Sequence, residues 1–490
     1  MAVDNWQKSS REPANTTNKY YKQKDIKDSE FVNPKYAEFY PLWRQIYETV
    51  ELGEKGVKKA GEEYLPKTEG MLKNDKDETR YNAYKKRAIY RNFCDTTVKK
   101  AKGLMHSKNA IINLENNKEL EYLKTNASVK GEGLESLLRN INDHQIQYSR
   151  VGLLADFPED FSREPRIALY DAFSIIDWLE EKDKTGKFYL RFVLLDESGY
   201  EYDFTENKYK EKDKFRLLAL ADTDNGKVYY SKVFDNKKRE GWNLKNPDWN
   251  DPGLTVFKIG GKTIDYIPFR VANIRNTGMN PENPLLIEQS NLAVHCYQND
   301  ADYRALLRLQ AFALLVFKGV PKDEIEKQGV QADGYTVIEN KDGSAGYESA
   351  DGAGLQEMRL AIETIKQEAD DSGIVISDKE GVESGKAIAT RIALKTSDLR
   401  DIAITGAEAL QDCLMFIVKW LGVNVTPKIT PNLDFKQETE EPRSLNEMAQ
   451  VVQAQLMGLK NFYLYGYENN WFKEETFEEW NTNRQETGLI

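Results

Sequence analysis

The stretch Leu285-Leu-Ile-Glu-Gln-Ser-Asn-Leu-Ala-Val-His-Cys-Tyr-Gln-Asn-Asp-Ala-Asp-Tyr-Arg-Ala-Leu-Leu-Arg-Leu-Gln310 contains neither proline nor glycine. Leu285, Leu292, Cys296, Tyr303 and Leu306 recur at helical steps, which predicts a helix with one apolar stripe, interrupted by Gln289 and Asn299. The apolar run Ala311 to Gly319 reads as a strand, and Gly334 to Glu339 as a second one leading into a turn at Asn340 to Gly346. A second helix is predicted from about Gly354 to Asp370, with Leu355, Met358, Ile362 and Ile365 as its stripe. One copy of this unit would struggle to bury both stripes and the strands between them in one compact core. A ring of identical neighbours would bury them easily.

The remaining composition bounds the answer. A length of 490 residues suggests about three domains. Charged residues make up 30% and apolar residues 40%, which describes a heavily solvated surface. The longest apolar run, Ala311 to Phe317, falls far short of the ~20 residues needed to cross a bilayer. The polar start, Met1 to Lys8, lacks the apolar core of a secretory signal, so assembly in a cytosol is expected. A net charge of −11 argues against a tight, general DNA binder, because such affinity comes from basic patches on phosphates. It is compatible with surrounding DNA without holding it.

Read in order, residues 1–30 form a polar arm. Tyr36, Phe39, Tyr40, Trp43, Ile46 and Tyr47 predict an amphipathic helix from Pro34 to Val50. A further helix is expected from Thr79 to about Leu104, with Lys85, Lys86, Arg87, Arg91, Lys99, Lys100 and Lys102 on one face. Another spans Leu134 to Tyr148. An α+β region follows: a buried strand at Val151 to Asp156, strands Phe188–Leu195 and Tyr200–Phe204 joined by a Glu-Ser-Gly turn, and a hairpin across Asn225-Gly226. A long loop at 235–253 precedes two short strands at 254–259 and 263–267. Ser384 to Leu421 reads as a long helix with Ile388, Ile392, Leu399, Ile402, Leu410 and Leu414 on one face and Gly406 as a candidate bend. Ser444 to Glu447 fits a capping box before a helix to about Leu464, and a last helix is expected near Glu474 to Arg484.

Enzymatic signatures fail on spacing. Cys94, Cys296 and Cys413 lie far apart, as do His106, His144 and His295, so neither a zinc site nor a disulfide framework is expected. His295 and Cys296 are adjacent on a helix, about 100° apart, and would not face each other. Gly260-Gly261-Lys262-Thr263 resembles the end of a phosphate loop, but Val256 replaces the required earlier glycine. Gly352-Ala-Gly354 lacks its third glycine at Glu357. The acidic pairs Glu159-Asp160 and Asp370-Asp371 read as solvated surface. No catalytic residue, metal or cofactor is assigned.

Several short stretches together resemble the tailed-bacteriophage portal proteins, the head–tail connectors. They are Tyr64-Leu-Pro-Lys67 with Gly70-Met71, Tyr84 to Tyr90 with Asn92-Phe93, Gly103-Leu-Met105, and Arg150-Val-Gly-Leu-Leu-Ala-Asp156 with Pro158. Tyr170 to Trp178 follows, then Pro284-Leu-Leu with Asn291-Leu, His295, Tyr297, Gln298 and Ala301-Asp-Tyr303. Their order extends over residues 64–435. The resemblance implies an α+β portal fold: an N-terminal arm (1–30), a wing (31–283), a first stem helix (284–310), a clip (311–350) and a second stem helix (351–370). A tunnel loop (371–385), a long bent wing/crown helix (386–435) and a helical crown (436–490) complete it. It also implies a virion ring, usually of twelve subunits, at one capsid vertex, assembled in the host cytoplasm. The implied partners are double-stranded DNA in the channel, the major capsid protein, a terminase motor, and head-completion and tail proteins, with no membrane.

Carried over, the tunnel loop offers Lys379, Lys386, Ser377 and Ser384 to DNA. Glu357, Glu363, Lys366 and Asp370 line the stem, and Phe317, Lys318, Tyr335, Lys341 and Asp342 dock partners at the clip. The competing readings are a head–tail adaptor or minor capsid protein, and a metal-dependent hydrolase using clustered carboxylates.

Overall fold

Asn33 opens the first helix by accepting a hydrogen bond from Lys35 N (2.9 Å), with Pro34 supplying a preset φ at the first position. The computed structural model describes residues 32–74, 76, 78–157, 164–224, 226–235, 243–311, 314–320, 342–348, 354–372, 396–435, 458–468 and 476–487. The arm 1–30, the expected strand 334–339 and the capping box at Ser444–Glu447 lie outside them. The chain divides into a large unit ending at Leu433 and a small one from Asp434.

In the large unit, α1 (Pro34–Ile46) buries Tyr36, Phe39, Tyr40, Trp43 and Ile46, the face that its spacing predicts. Its last part widens into a π-helix, Tyr47–Glu51, which lets four consecutive residues, Tyr47 to Val50, turn inward. After α2 (Glu54–Ala60) and α3 (Glu69–Asn74), the expected single basic helix is in fact two, α4 (Thr79–Arg87) and α5 (Phe93–Met105). Tertiary bonds, one from a backbone amide and two from side chains, hold residues 89–92 in the break. Ile89 N donates to Asp300, Tyr90 OH to Thr49 O, and Asn92 Nδ2 to Val50 O. Asn92 then caps α5 by accepting from Asp95 N.

Strand β1 (Ile111–Asn113) and the one-turn α6 (Leu123–Asn126) lead into α7 (Leu134–Tyr148), whose bounds match the expectation. Next come β2 (Arg150–Asp156), β3 (Arg166–Tyr170), β4 (Ile175–Lys182) and β5 (Phe188–Asp196). The expected pairing of β5 with its successor does not occur. Instead β6 (Gly199–Asp203) pairs with β7 (Lys208–Lys212) in a separate ribbon, ion-paired through Lys210–Asp203 and Lys212–Glu201. β5 lies between β4 and β8 (Phe215–Thr223), and β8 forms the expected hairpin with β9 (Gly226–Phe234). β10 (Leu254–Val256) completes this five-stranded antiparallel sheet. β11 (Lys258–Ile259) and β12 (Lys262–Thr263) form a small hairpin turning through Gly260 and Gly261, both at positive φ. The glycines of the failed phosphate loop are turn residues.

β13 (Phe269–Asn273) pairs with β2 to complete the sheet β13-β2-β3, from which the chain passes into α8 (Ile287–Ala311). β14 (Leu314–Lys318) pairs with β15 (Ser344–Glu348), so Ser344 to Gly346 belong to a strand where a turn was expected. α9 (Leu355–Ser372) and α10 (Ser397–Leu421) follow, and β16 (Lys428–Thr430) returns to pair with β1. α10 buries Leu399, Ile402, Leu410 and Leu414 as expected. Gly406 does not break it: a Cβ there would lie 2.6 Å from Asn142 Nδ2 and 2.7 Å from Gln145 Oε1. Its role is close approach to α7, not a bend. In the small unit, α11 (Leu459–Glu468) and α12 (Phe477–Thr487) share a cluster of Phe462, Tyr463, Phe477 and Trp480.

Two stability tests follow from this packing. Gly406→Ala improves helix propensity by ~1 kcal/mol, yet overpacking against Asn142 and Gln145, at about 1–3 kcal/mol, should offset it, for a net loss of up to about 2 kcal/mol in urea unfolding. The second concerns pH. Burial, with Arg139 and Lys102 alongside, holds His106 down at about 4, and burial also lowers His144. Between about 6.5 and 4 the unfolded chain therefore binds more protons at His106, with His144 acting in the same direction, and stability falls as pH drops. Burial raises the Asp156 carboxyl to about 6, so this group works in the opposite direction below that pH. The melting temperature should fall from about pH 7 to 5, and fall less in His106→Leu.

Candidate functional site

α8 divides along its length. Its first two-thirds buries Gln289, Ser290, Ala293, Cys296, Tyr297, Asp300 and Ala301. This corrects the expected stripe: Leu285, Leu292, Tyr303 and Leu306 are only half-buried, and Gln289, expected as an interruption, sits on the inward face. Gln289 Nε2 donates to Ala369 O at 2.8 Å, so the start of α8 lies against the end of α9 and the two run antiparallel. On α9, Ile362 and Ala369 are buried while Leu355, Met358 and Ile365 are half-buried, on the face that was expected.

A polar joint ties α8 to the helices before it. Asp300, 2% exposed, accepts from Ile89 N (2.9 Å) and Arg304 Nε (2.6 Å), with Arg91 Nη1 farther off at 3.7 Å. Tyr84 OH donates to Asp302, and Gln298 Nε2 to Tyr64 O. Gln45 Nε2 donates to Ser290 Oγ and Asn291 Oδ1, and the Thr49 and Ser290 hydroxyls share a bond of 2.9 Å. Burial, reinforced by Asp302, pushes the Tyr84 phenol well above its ordinary value, so it is a firm donor.

Beyond this joint the apolar groups emerge. Leu307 and Leu309 on α8 are 43% and 57% exposed, and Leu360 on α9 is 50% exposed. Glu357, Glu363 and Asp370 are exposed on α9. Lys366 is half-buried, near enough to Cys296 to oppose the upward push of burial on that thiol. At the ribbon end, Phe317 is half-buried while Lys318 and Asp342 are exposed. Lys318 pairs with Ser344, and a Cβ on Gly319 would lie 2.9 Å from Asp342 O, so strand pairing brings these positions together. Tyr335, Lys341, Ser377, Lys379, Ser384 and Lys386 lie outside the described residues.

The catalytic alternatives gain no support. His295 is exposed and Cys296 buried, as their helical offset requires. The three cysteines are buried and free, and burial pushes Cys94 up to about 12. Among the described residues no group of three His, Cys, Asp or Glu could hold a metal, and no helix is long and apolar enough to cross a membrane. The basic cluster is split by the break at 88–92: Lys99 pairs with Asp95, Lys102 with Asp143, and Lys85 lies over the Tyr81 ring.

A protein-family profile described as a domain of unknown function, DUF4055, matches residues 286–421, the span from α8 through α10. No curated protein matches the chain. Among solved structures it is similar to the neck of an empty gene transfer agent (GTA) particle computed with C6 symmetry. The identity is 11%, over 81% of this chain and 94% of that one, with a TM-score of 0.35. It is also similar to the virion of a native gene transfer agent particle, at 12% identity over 76% and 90% of the two chains and a TM-score of 0.34. For the neck of the native particle computed with C12 symmetry, the values are 12%, 81%, 93% and 0.31.

Removing one side of the joint should be costly. Asp300→Ala strands Ile89 N and leaves Arg91 and Arg304, each about a third exposed, to solvent, and should destabilise by about 1–3 kcal/mol. Guanidinium unfolding of the variant against the parent chain measures it.

Proposed function

We propose that this chain is a portal-type head–tail connector, a ring of identical subunits around a DNA channel at one vertex of a phage or phage-like capsid. The observation that carries the reading is the helix–ribbon–helix unit. Its near half is fastened into its own subunit by Gln289, Ser290 and Asp300, while its far half holds Leu307, Leu309 and Leu360 out to solvent. Exposed leucines on a projecting helix pair suit burial against the same unit of a neighbour. The ordered resemblance over 64–435 supplies the family. In this reading Glu357, Glu363 and Asp370 line the channel and repel DNA enough to let it slide, with repulsion reaching about 8–10 Å at ordinary salt. Phe317, Lys318, Tyr335, Lys341 and Asp342 dock head-completion or tail proteins. Lys379, Lys386, Ser377 and Ser384 make transient contacts with phosphate. Packaging force comes from a separate terminase motor, and the chain itself has no catalytic role.

Native mass spectrometry and negative-stain imaging test this. The expected particle is a ring with a central hole and roughly twelve times the 56.4 kDa of one chain. Leu307→Glu with Leu309→Glu should leave the melting temperature of the subunit within a few degrees and abolish the ring. A chain that stays monomeric even when made beside its capsid scaffold would sink the reading; one that binds only to a preformed ring would be an adaptor.

A further inference from the structure

The ribbon of β6 and β7 carries its aromatic residues on one face. Tyr202 pairs directly with Tyr209 and Tyr200 with Glu211, so strand alternation puts all four on the same side. Phe204 joins them: its ring and the Tyr209 ring each lie 5.1 Å from that of Tyr202, edge-on. The opposite face takes the other charges. Lys210 pairs there with Asp203 at 2.7 Å, and Lys212 with Glu201 at 3.1 Å. The aromatic face is open to solvent, with Phe204 83% and Tyr209 67% exposed and Tyr200 and Tyr202 exposed beside them. Contiguous exposed rings of this kind mark a docking surface.

The chemistry of the face selects what can cover it. Glu211 is the one charged residue that alternation puts there; it is exposed and makes no ion pair among the described residues. Ring faces attract cations, and a carboxylate beside them adds to that attraction. A nucleic acid would meet Glu211 and no cation. A second copy of the same face would bring another carboxylate and no cation. A short basic segment with aromatic residues of its own fits. Lys19-Tyr-Tyr-Lys-Gln-Lys24 has three lysines, two tyrosines and no acid, in a chain of net charge −11.

That segment is also within reach. The chain enters α1 beside β4, where Asn33 N donates to Ile176 O at 2.9 Å and Asn33 Nδ2 to Trp178 O at 3.1 Å. The adjacent Ile175 pairs with Leu195 of β5, and Tyr200 to Phe204 follow Leu195 by five to nine residues, at most about 30 Å of extended chain. Lys24 to Lys19 precede Asn33 by nine to fourteen residues, which span up to about 30–50 Å.

We propose that the basic segment Lys19–Lys24 docks on the aromatic face of β6 and β7 in its own chain, with lysines over the rings and against Glu211. The contact tethers the N-terminal arm to the ribbon, and it does not depend on the ring reading.

Limited trypsin digestion of the full chain reads whether the segment is covered. Cleavage after Lys22 and Lys24 should be on the order of tenfold faster in Phe204→Ser with Tyr209→Ser than in the parent chain, once two cation–ring contacts are gone. Both side chains are exposed, and an unchanged melting temperature verifies that the fold is kept. Zero-length carbodiimide coupling gives a second readout by joining the Glu211 carboxyl to Lys19, Lys22 or Lys24. That product should form in the parent chain and fall in the double variant. In a mixture of ordinary and isotopically labelled chains, it should join peptides of the same label. Equal cleavage rates in parent and variant, or no such product, overturn the proposal. A product joining unlike labels also overturns it and gives the face to the arm of a second copy.

Discussion

A carboxylate as buried as that of Asp300 is costly unless donors surround it, and the chain gathers them from two directions. Arg304 comes from one turn further along the same helix, and Ile89 N from a segment 211 residues earlier. Meeting that demand breaks the early basic helix, because an amide pointing at Asp300 cannot also serve an α-helix. The break places Tyr90 under the π-helix and against the Tyr297 ring, and lets Asn92 restart the chain as α5. The position of α8, and so of the ribbon and α9 beyond it, follows from how this one charge is solvated.

Where the sequence was legible, local pattern and tertiary demand agreed. Leu134, Leu137, Leu138, Ile141 and Ile146 mark α7 because the face they define is the face that is buried. The hairpin of β8 and β9 is local, and its dipeptide signal sufficed. The failures share a cause. Gln289, Ser290 and Asp300 are polar, yet they face inward because each finds a partner distant in sequence, so apolar spacing misassigned the stripe of α8. β3, β4 and β13 were not singled out as strands, since their partners are set by sheet order more than by neighbours in sequence.

The candidate site was legible unevenly. Exposure of Glu357, Glu363 and Asp370 could be read from helical phase on α9, because acids opposite an apolar stripe face solvent. The inward polar face of α8 could not, since Gln289, Ser290 and Asp300 each take a partner far away in the sequence. Inside the sheets, charge is likewise solvated by arrangement. Glu197 accepts from Tyr170 OH and pairs with Arg216 and Lys214, which draws its carboxyl down to about 2 despite its burial. A run of acids in a chain of this composition says little until its partners are known.

The ribbon of β6 and β7 stands apart from the five-stranded sheet, with every residue of β7 exposed. A two-stranded pair is marginal on its own and contributes little to the core. In hydrogen-exchange terms it should behave as a separate, early-opening unit, while β5 and β8 stay closed until global unfolding. That makes the turn between Asp203 and Lys208 a natural graft point, where an epitope or a fluorophore could be carried without straining the joint that holds α8 in place.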